Sequence, residues 1–91
     1  SKTVGEVRVV MSAGLQALGF EVLPSQANFI FTQHTALPGH LIFDALRARD
    51  ILVRRWDKQR IKNWLRISMG TMAQAEQLLG VMREIVSPET G

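Results

Sequence analysis

Two arginines stand inside short apolar runs: Arg54 ends ILVR, beginning at Ile51, and Arg66 lies within WLRIS, Trp64 to Ser68. If both runs are strands, their period of two puts Ile51 and Val53 on one face and Leu52, Arg54 and Trp56 on the other. In the second run Leu65 and Ile67 share a face, and Trp64, Arg66 and Ser68 point the opposite way. A hairpin closing symmetrically about residue 60 sets Arg54 opposite Arg66, Leu52 opposite Ser68 and Trp56 opposite Trp64. Like charges facing each other across a sheet cost on the order of 0.2–1 kcal/mol, so the pair invites a compensating partner. An oxyanion answers that need, because a guanidinium is a planar fork of donors that matches a carboxylate or phosphate bidentately. The competing reading is that each arginine snorkels past its neighbours to water or pairs with a local acid such as Asp57.

The charge pattern leans the same way. Of the 11 basic residues, eight lie between Arg47 and Arg66, opposed there only by Asp50 and Asp57. A local positive field favours an anion, whether a small carboxylate or phosphate or a nucleic-acid backbone. Lys58, Arg60 and Lys62 themselves read as a solvated basic loop. Other chemistry is thin. His34 and His40 are six residues apart with no cysteine in the chain and no metal-ligand spacing, which suits exposed or lightly hydrogen-bonded histidines. Ser12, Ser25 and Ser68 have no recognisable base partner or nucleophile-elbow glycines, and SMGT (Ser68 to Thr71) has a single glycine with which to cradle a phosphate. No complete catalytic set is present.

The elements that must carry the arginines are legible from periodicity. Thr3 followed by Glu6 fits a capping box, and Val4, Val7, Met11, Leu15 and Leu18 recur at helical spacing, predicting a helix over 3–18 that Gly19 ends. Gly5 and Gly14 weaken that helix a little. Short strands are expected near 20–23 and 28–32, separated by PSQ. Pro38 suits a first helical turn, and Leu41, Ile42, Ala45 and Leu46 make an apolar stripe reaching Ala48. Asp50 stands where the chain turns from helix into ILVR, at a place where glycine is usual and aspartate tolerable. Thr71 with Gln74 forms a second capping box, and Met72, Leu78, Leu79, Met82, Ile85 and Val86 supply the last stripe until Pro88.

The resulting order is helix, strand, strand, helix, strand, strand, helix. It predicts an α+β two-layer sandwich: a small, mainly antiparallel sheet with helices packed on one face. Ninety-one residues make one domain over 1–91, and 46% hydrophobic with 21% charged residues excludes wholesale disorder. Ile51, Val53, Leu65 and Ile67 are the expected floor under the helices. The other face, with Leu52, Trp56, Trp64 and both arginines, has no cover within the chain. Apolar segments are interrupted by charge long before the roughly 20 residues of a membrane span, and the start lacks a secretory apolar core. Absence of cysteine suits a reducing cytosol, so a cytoplasmic location is expected.

The succession LGFEVLPSQANFIF, LRARDILVRRW and WLRISMGTMAQAEQLL resembles the C-terminal small domain of class I/II (fold type I) pyridoxal-phosphate-dependent aminotransferases, and within that family the histidinol-phosphate aminotransferases most. The order and spacing are right over most of the chain, and LRIS.GT after ILVR is the most specific piece. The resemblance implies that Arg66 faces the active site and holds the substrate's acidic group, that Arg54 helps bind a phosphate, and that Asn28, in ANF, borders the domain junction. It also implies amino transfer between L-histidinol phosphate, or a related amino acid, and 2-oxoglutarate, with pyridoxal 5'-phosphate held by a large domain of the same enzyme and the complete enzyme a homodimer. The family's cofactor lysine motif and ring-binding tyrosine have no counterpart, since the chain has no tyrosine and Lys2, Lys58 and Lys62 lie outside such a motif. The 91 residues alone are therefore expected to be inactive and to bind no cofactor. Asp50 departs from the family's usual glycine, and Arg55 and Trp56 are less typical of it.

A rival class is a non-enzymatic binding module, in which a basic, aromatic sheet face binds RNA. WLRISMGT does not fit the aromatic-rich RNA-binding strand and the element order differs, so no nucleic-acid or membrane partner is expected. A regulator that docks on an aminotransferase is not separable from the first reading by sequence.

Overall fold

Thr3 begins the part of the chain that the computed structural model describes, residues 3–25 and 27–87. Its hydroxyl accepts the Glu6 N–H at 3.2 Å while the Glu6 carboxylate accepts the Thr3 N–H at 3.1 Å. That reciprocal box opens helix α1 (Val4–Ala17), which buries Val7, Met11 and Leu15. Val4, read as part of the stripe, is instead 45% exposed in the first turn. Gly19 ends the helix at φ 92°, in the left-handed region where a Cβ is costly, and the chain turns directly into β1 (Phe20–Val22).

Strand β2 (Phe29–His34) runs two residues further than its alternation suggested. Its last residue, His34, is more tied down than the sequence indicated. Nδ1 accepts the Ala36 and Leu37 N–H groups, both at 3.1 Å, so Nε2 carries the proton it donates to the Leu18 carbonyl at 2.9 Å. The imidazole thus ties the end of α1 to the turn after β2.

Helix α2 (Gly39–Arg47) starts after Pro38, which takes the N-cap position outside the first turn and supplies no side-chain cap. Asn63, from a loop 24 residues away, caps it instead: its Oδ1 accepts the Gly39 N–H at 2.9 Å. Ile42 and Leu46 are fully buried, whereas Leu41 is 43% exposed. Asp50 makes the left-handed turn expected of it, with φ 61°. Of this stretch only Arg54 and Arg55 pair, so β3 (Arg54–Arg55) is shorter than the predicted strand and Ile51, Leu52 and Val53 lie outside the ladder.

Strand β4 (Leu65–Ser68) then leads to α3 (Met72–Val86), opened by the expected Thr71–Gln74 capping box. The stop read at Pro88 lies outside the described residues. The strands form one antiparallel sheet in the order β1-β2-β4-β3, an α+β architecture as predicted. Ile30, Leu65 and Ile67 on one sheet face meet Val7, Met11 and Leu15 of α1, Ile42 and Leu46 of α2, and Ala75, Leu78, Leu79 and Met82 of α3 in one core. All of the helices therefore cover the same face, and the alternate residues of β2 and β4 are left outside that core.

The remote cap demands a close approach at Gly39. A Cβ there would lie 2.8 Å from both the Lys62 carbonyl oxygen and Asn63 Cα, which are backbone atoms unable to rotate away. Gly39→Ala is expected to destabilise the fold by about 1–3 kcal/mol, the usual cost of overpacking, lowering Tm by several degrees in a thermal melt.

Candidate functional site

Pairing of β4 with both neighbours decides what the open face presents. Arg66 lies directly opposite Arg54 on one side and Phe31 on the other, and Phe29 lies opposite Ser68. Directly paired residues share a sheet face, so Phe31, Arg66 and Arg54 form a row across three strands, on the side away from the helices. The predicted juxtaposition of the two arginines is thus present. Trp56 lies on the expected side, against Phe31, but neither Leu52 nor Trp56 extends the ladder to Ser68 or Trp64, because β3 consists of Arg54 and Arg55 alone.

Aromatic rings form the floor of this row. Phe29 and Phe31 meet edge to face at 5.3 Å, and Phe31 stacks with Trp56 at 6.2 Å and 30°. The Arg66 guanidinium carbon lies 5.1 Å from the Phe29 centroid and 5.8 Å from that of Trp56, and Arg54 lies 5.6 Å from Trp56. Leu23, Phe31, Trp56, Ile61 and Trp64 line an apolar groove of about 380 Å³ beside them. Leu52, which does not line this groove, is 77% exposed. Phe29 and Phe31 were not singled out from sequence; their signal was the alternation in NFIF, out of phase with buried Ile30.

Asp57 is not the counter-ion of either arginine. Its carboxylate is 3.9 Å from Arg55 Nη2, and among the described residues no ion pair reaches Arg54 or Arg66. Arg55 points to the other side of β3, opposite Leu65, and donates to the Lys62 carbonyl at 3.1 Å. Together with the bond from Gly39 to Asn63, this fastens the loop between β3 and β4 to both β3 and α2. Asn28 stands apart from the pair. Its carbonyl accepts the Met69 N–H at 2.7 Å, prolonging the β2–β4 pairing, while its side chain is exposed just before β2.

A second cleft, of about 470 Å³, opens at the start of α3 between Asp50, Leu52, Val53, Ser68 and Gln74. Among the described residues no cluster of three potential metal ligands occurs, and no helix is long and apolar enough to cross a membrane.

The sequence profile described as aminotransferase class I and II matches residues 1–82. The chain belongs to that family. Histidinol-phosphate aminotransferase 1 of Bordetella parapertussis is 46% identical over 86 residues, covering 94% of this chain and 24% of the relative. Histidinol-phosphate aminotransferase 2 of Gluconobacter oxydans is 49% identical over 76 residues, covering 84% and 21%. In fold, the histidinol-phosphate aminotransferase of Clostridium acetobutylicum superposes with a TM-score of 0.82 at 18% identity, over 94% of this chain and 27% of that one. The chain thus spans about a quarter of the length of these aminotransferases.

The loop that joins the two arginine strands depends on its remote cap. Asn63→Ala leaves the Gly39 N–H without its partner and is expected to cost about 0.5–2 kcal/mol, read as a lower urea midpoint with an unchanged m-value.

Proposed function

We propose that this chain is the small, substrate-binding domain of a pyridoxal-phosphate-dependent aminotransferase, of the histidinol-phosphate type. The observation that carries this reading is the placement of Arg54 and Arg66 side by side on the uncovered sheet face, with no acid paired to either among the described residues. The names of the relatives support histidinol phosphate as the substrate class; on this reading the amino group moves between L-histidinol phosphate, or a related amino acid, and 2-oxoglutarate. Arg66 holds the acidic group of the substrate and Arg54 shares its charge where that group is a phosphate. Asn28 is kept as a candidate through its place in the ANF motif, just before β2 and with its side chain exposed.

The chain's own contribution is binding and orientation. A group fixed by forked, charge-assisted hydrogen bonds leaves the rest of the substrate at a set position, and such positioning is worth up to roughly 7–11 kcal/mol in favourable model reactions. We assign no cradle for pyridoxal 5'-phosphate to this chain. Lys58 and Lys62 are exposed on the loop between β3 and β4, and no tyrosine exists in the chain to meet the cofactor ring. The cofactor and the catalytic lysine are assigned to a large domain of the same enzyme, working as a cytoplasmic homodimer, and the 91 residues alone are read as inactive.

Arg66→Lys in the complete enzyme keeps the charge but loses the fork. Since a hydrogen bond to a charged group is worth about 1.5–3 kcal/mol, kcat/KM is expected to fall roughly tenfold to a hundredfold. Unchanged steady-state kinetics would remove the assignment. Pyridoxal 5'-phosphate added to the isolated chain at equal concentration is expected to keep the absorbance spectrum of the free cofactor; a stoichiometric shifted band would show that the chain holds the cofactor after all.

A further inference from the structure

Five arginines of this chain are held by a side-chain contact, in two different ways. Arg8, Arg49 and Arg55 each donate a guanidinium N–H to a backbone carbonyl, those of Ala27, Ala45 and Lys62. Arg54 and Arg66 have aromatic rings as their neighbours instead. The difference matters chemically. A carbonyl or carboxylate occupies the N–H edge of a guanidinium, whereas a ring contacts its face and leaves the five in-plane donors free. Rings can therefore hold these two cations without competing with a ligand for their donors.

Trp56 is the ring common to both. Its centroid is 5.6 Å from the Arg54 guanidinium carbon and 5.8 Å from that of Arg66. Phe29 reaches Arg66, and among the described residues Arg54 has no ring contact other than Trp56. The indole is itself held, stacked on Phe31, whose position on β2 is set by pairing with Arg66. Arg54, by contrast, is exposed on a two-residue edge strand and would otherwise swing freely.

We propose that Trp56 is a positioning residue for a phosphate-type oxyanion: it draws the two guanidiniums to one locus before the ligand arrives and keeps their donors unoccupied. The proposal rests on the reading of Arg54 and Arg66 as the anion-binding pair. Losing the indole frees Arg54 to move away from Arg66, so the ligand must meet the ordering cost that the ring otherwise removes. Trp56→Phe keeps a ring at the position, and Trp56→Leu removes it.

The test is a titration of the chain with inorganic phosphate at constant ionic strength, following the arginine Nε–Hε resonances by NMR. Phosphate is expected to shift Arg54 and Arg66 with one common affinity. Trp56→Phe keeps most of that affinity and Trp56→Leu lowers it several-fold, while Arg83→Gln, which removes a distant exposed cation from α3, leaves it unchanged. If Arg66→Gln weakens binding and a folded Trp56→Leu chain binds as the parent does, the arginine pair stands and the role of Trp56 is wrong. If Arg66→Gln and Trp56→Leu both match the parent, both readings fail. Should Trp56→Leu not fold, the parent alone decides: ring-current shifts displace the Arg54 and Arg66 Nε–Hε protons from the position of exposed Arg47, and coincidence with Arg47 overturns the proposal.

Discussion

Strand β4 is the constraint from which the rest follows, because it serves two surfaces at once. Leu65 and Ile67 drop into the helix-covered core, while Arg66 between them is forced to the other side. The ladder to β3 then fixes Arg54 directly across from it. A slip of one residue would exchange the buried and open sets, bringing Leu65 and Ile67 to water at about 1.5–3 kcal/mol each and carrying Arg66 into the core. That penalty exceeds the roughly 0.2–1 kcal/mol of like-charge repulsion in the native register. The core therefore dictates where the cations stand, and the open face must accommodate them.

Accommodation comes from aromatic rings. The contacts of Arg66 with Phe29 and Trp56, and of Arg54 with Trp56, are each worth about 0.5–1 kcal/mol at partly exposed positions. Their sum is at least as large as the repulsion, so the paired arginines need no bound anion for the sheet to close. This separates two questions that the sequence had merged. The repulsion does not by itself demand a ligand; what indicates one is the combination of paired cations, free donors and an uncovered face in a member of an aminotransferase family.

What was legible in the sequence is what short-range rules govern. Both capping boxes, the left-handed turns at Gly19 and Asp50, the helical stripes apart from exposed Val4 and Leu41, and the parity of Arg54 against Arg66 depend on residues a few positions apart, and are found in the structure. The failures are contacts between distant segments. Nothing local to Pro38 reveals that α2 takes its cap from Asn63, and nothing local to His34 reveals that its Nε2 reaches the Leu18 carbonyl. The length of β3 was overestimated because ILVR has ideal strand composition, whereas Val53 and Leu52, which the register would set opposite Ile67 and Ser68, do not pair. Asn28 shows the limit of carrying a role by motif alone: its backbone is engaged with Met69, but its side chain makes no hydrogen bond among the described residues and does not join the arginine row.

The division of labour between the two sheet faces also explains why the loop from Asp57 to Asn63 is so firmly fastened although it is rich in exposed charge. Lys58, Arg60 and Lys62 would favour a loose, solvated excursion, yet Asn63 and the Lys62 carbonyl are both bonded to neighbouring elements. Trp56 enters this loop and Trp64 leaves it, and both line the apolar groove with Ile61 from its middle. Loosening the loop would therefore do more than fray a surface segment. It would release the rings beside the arginines, so the packing of the open face depends on this loop as well as on β4.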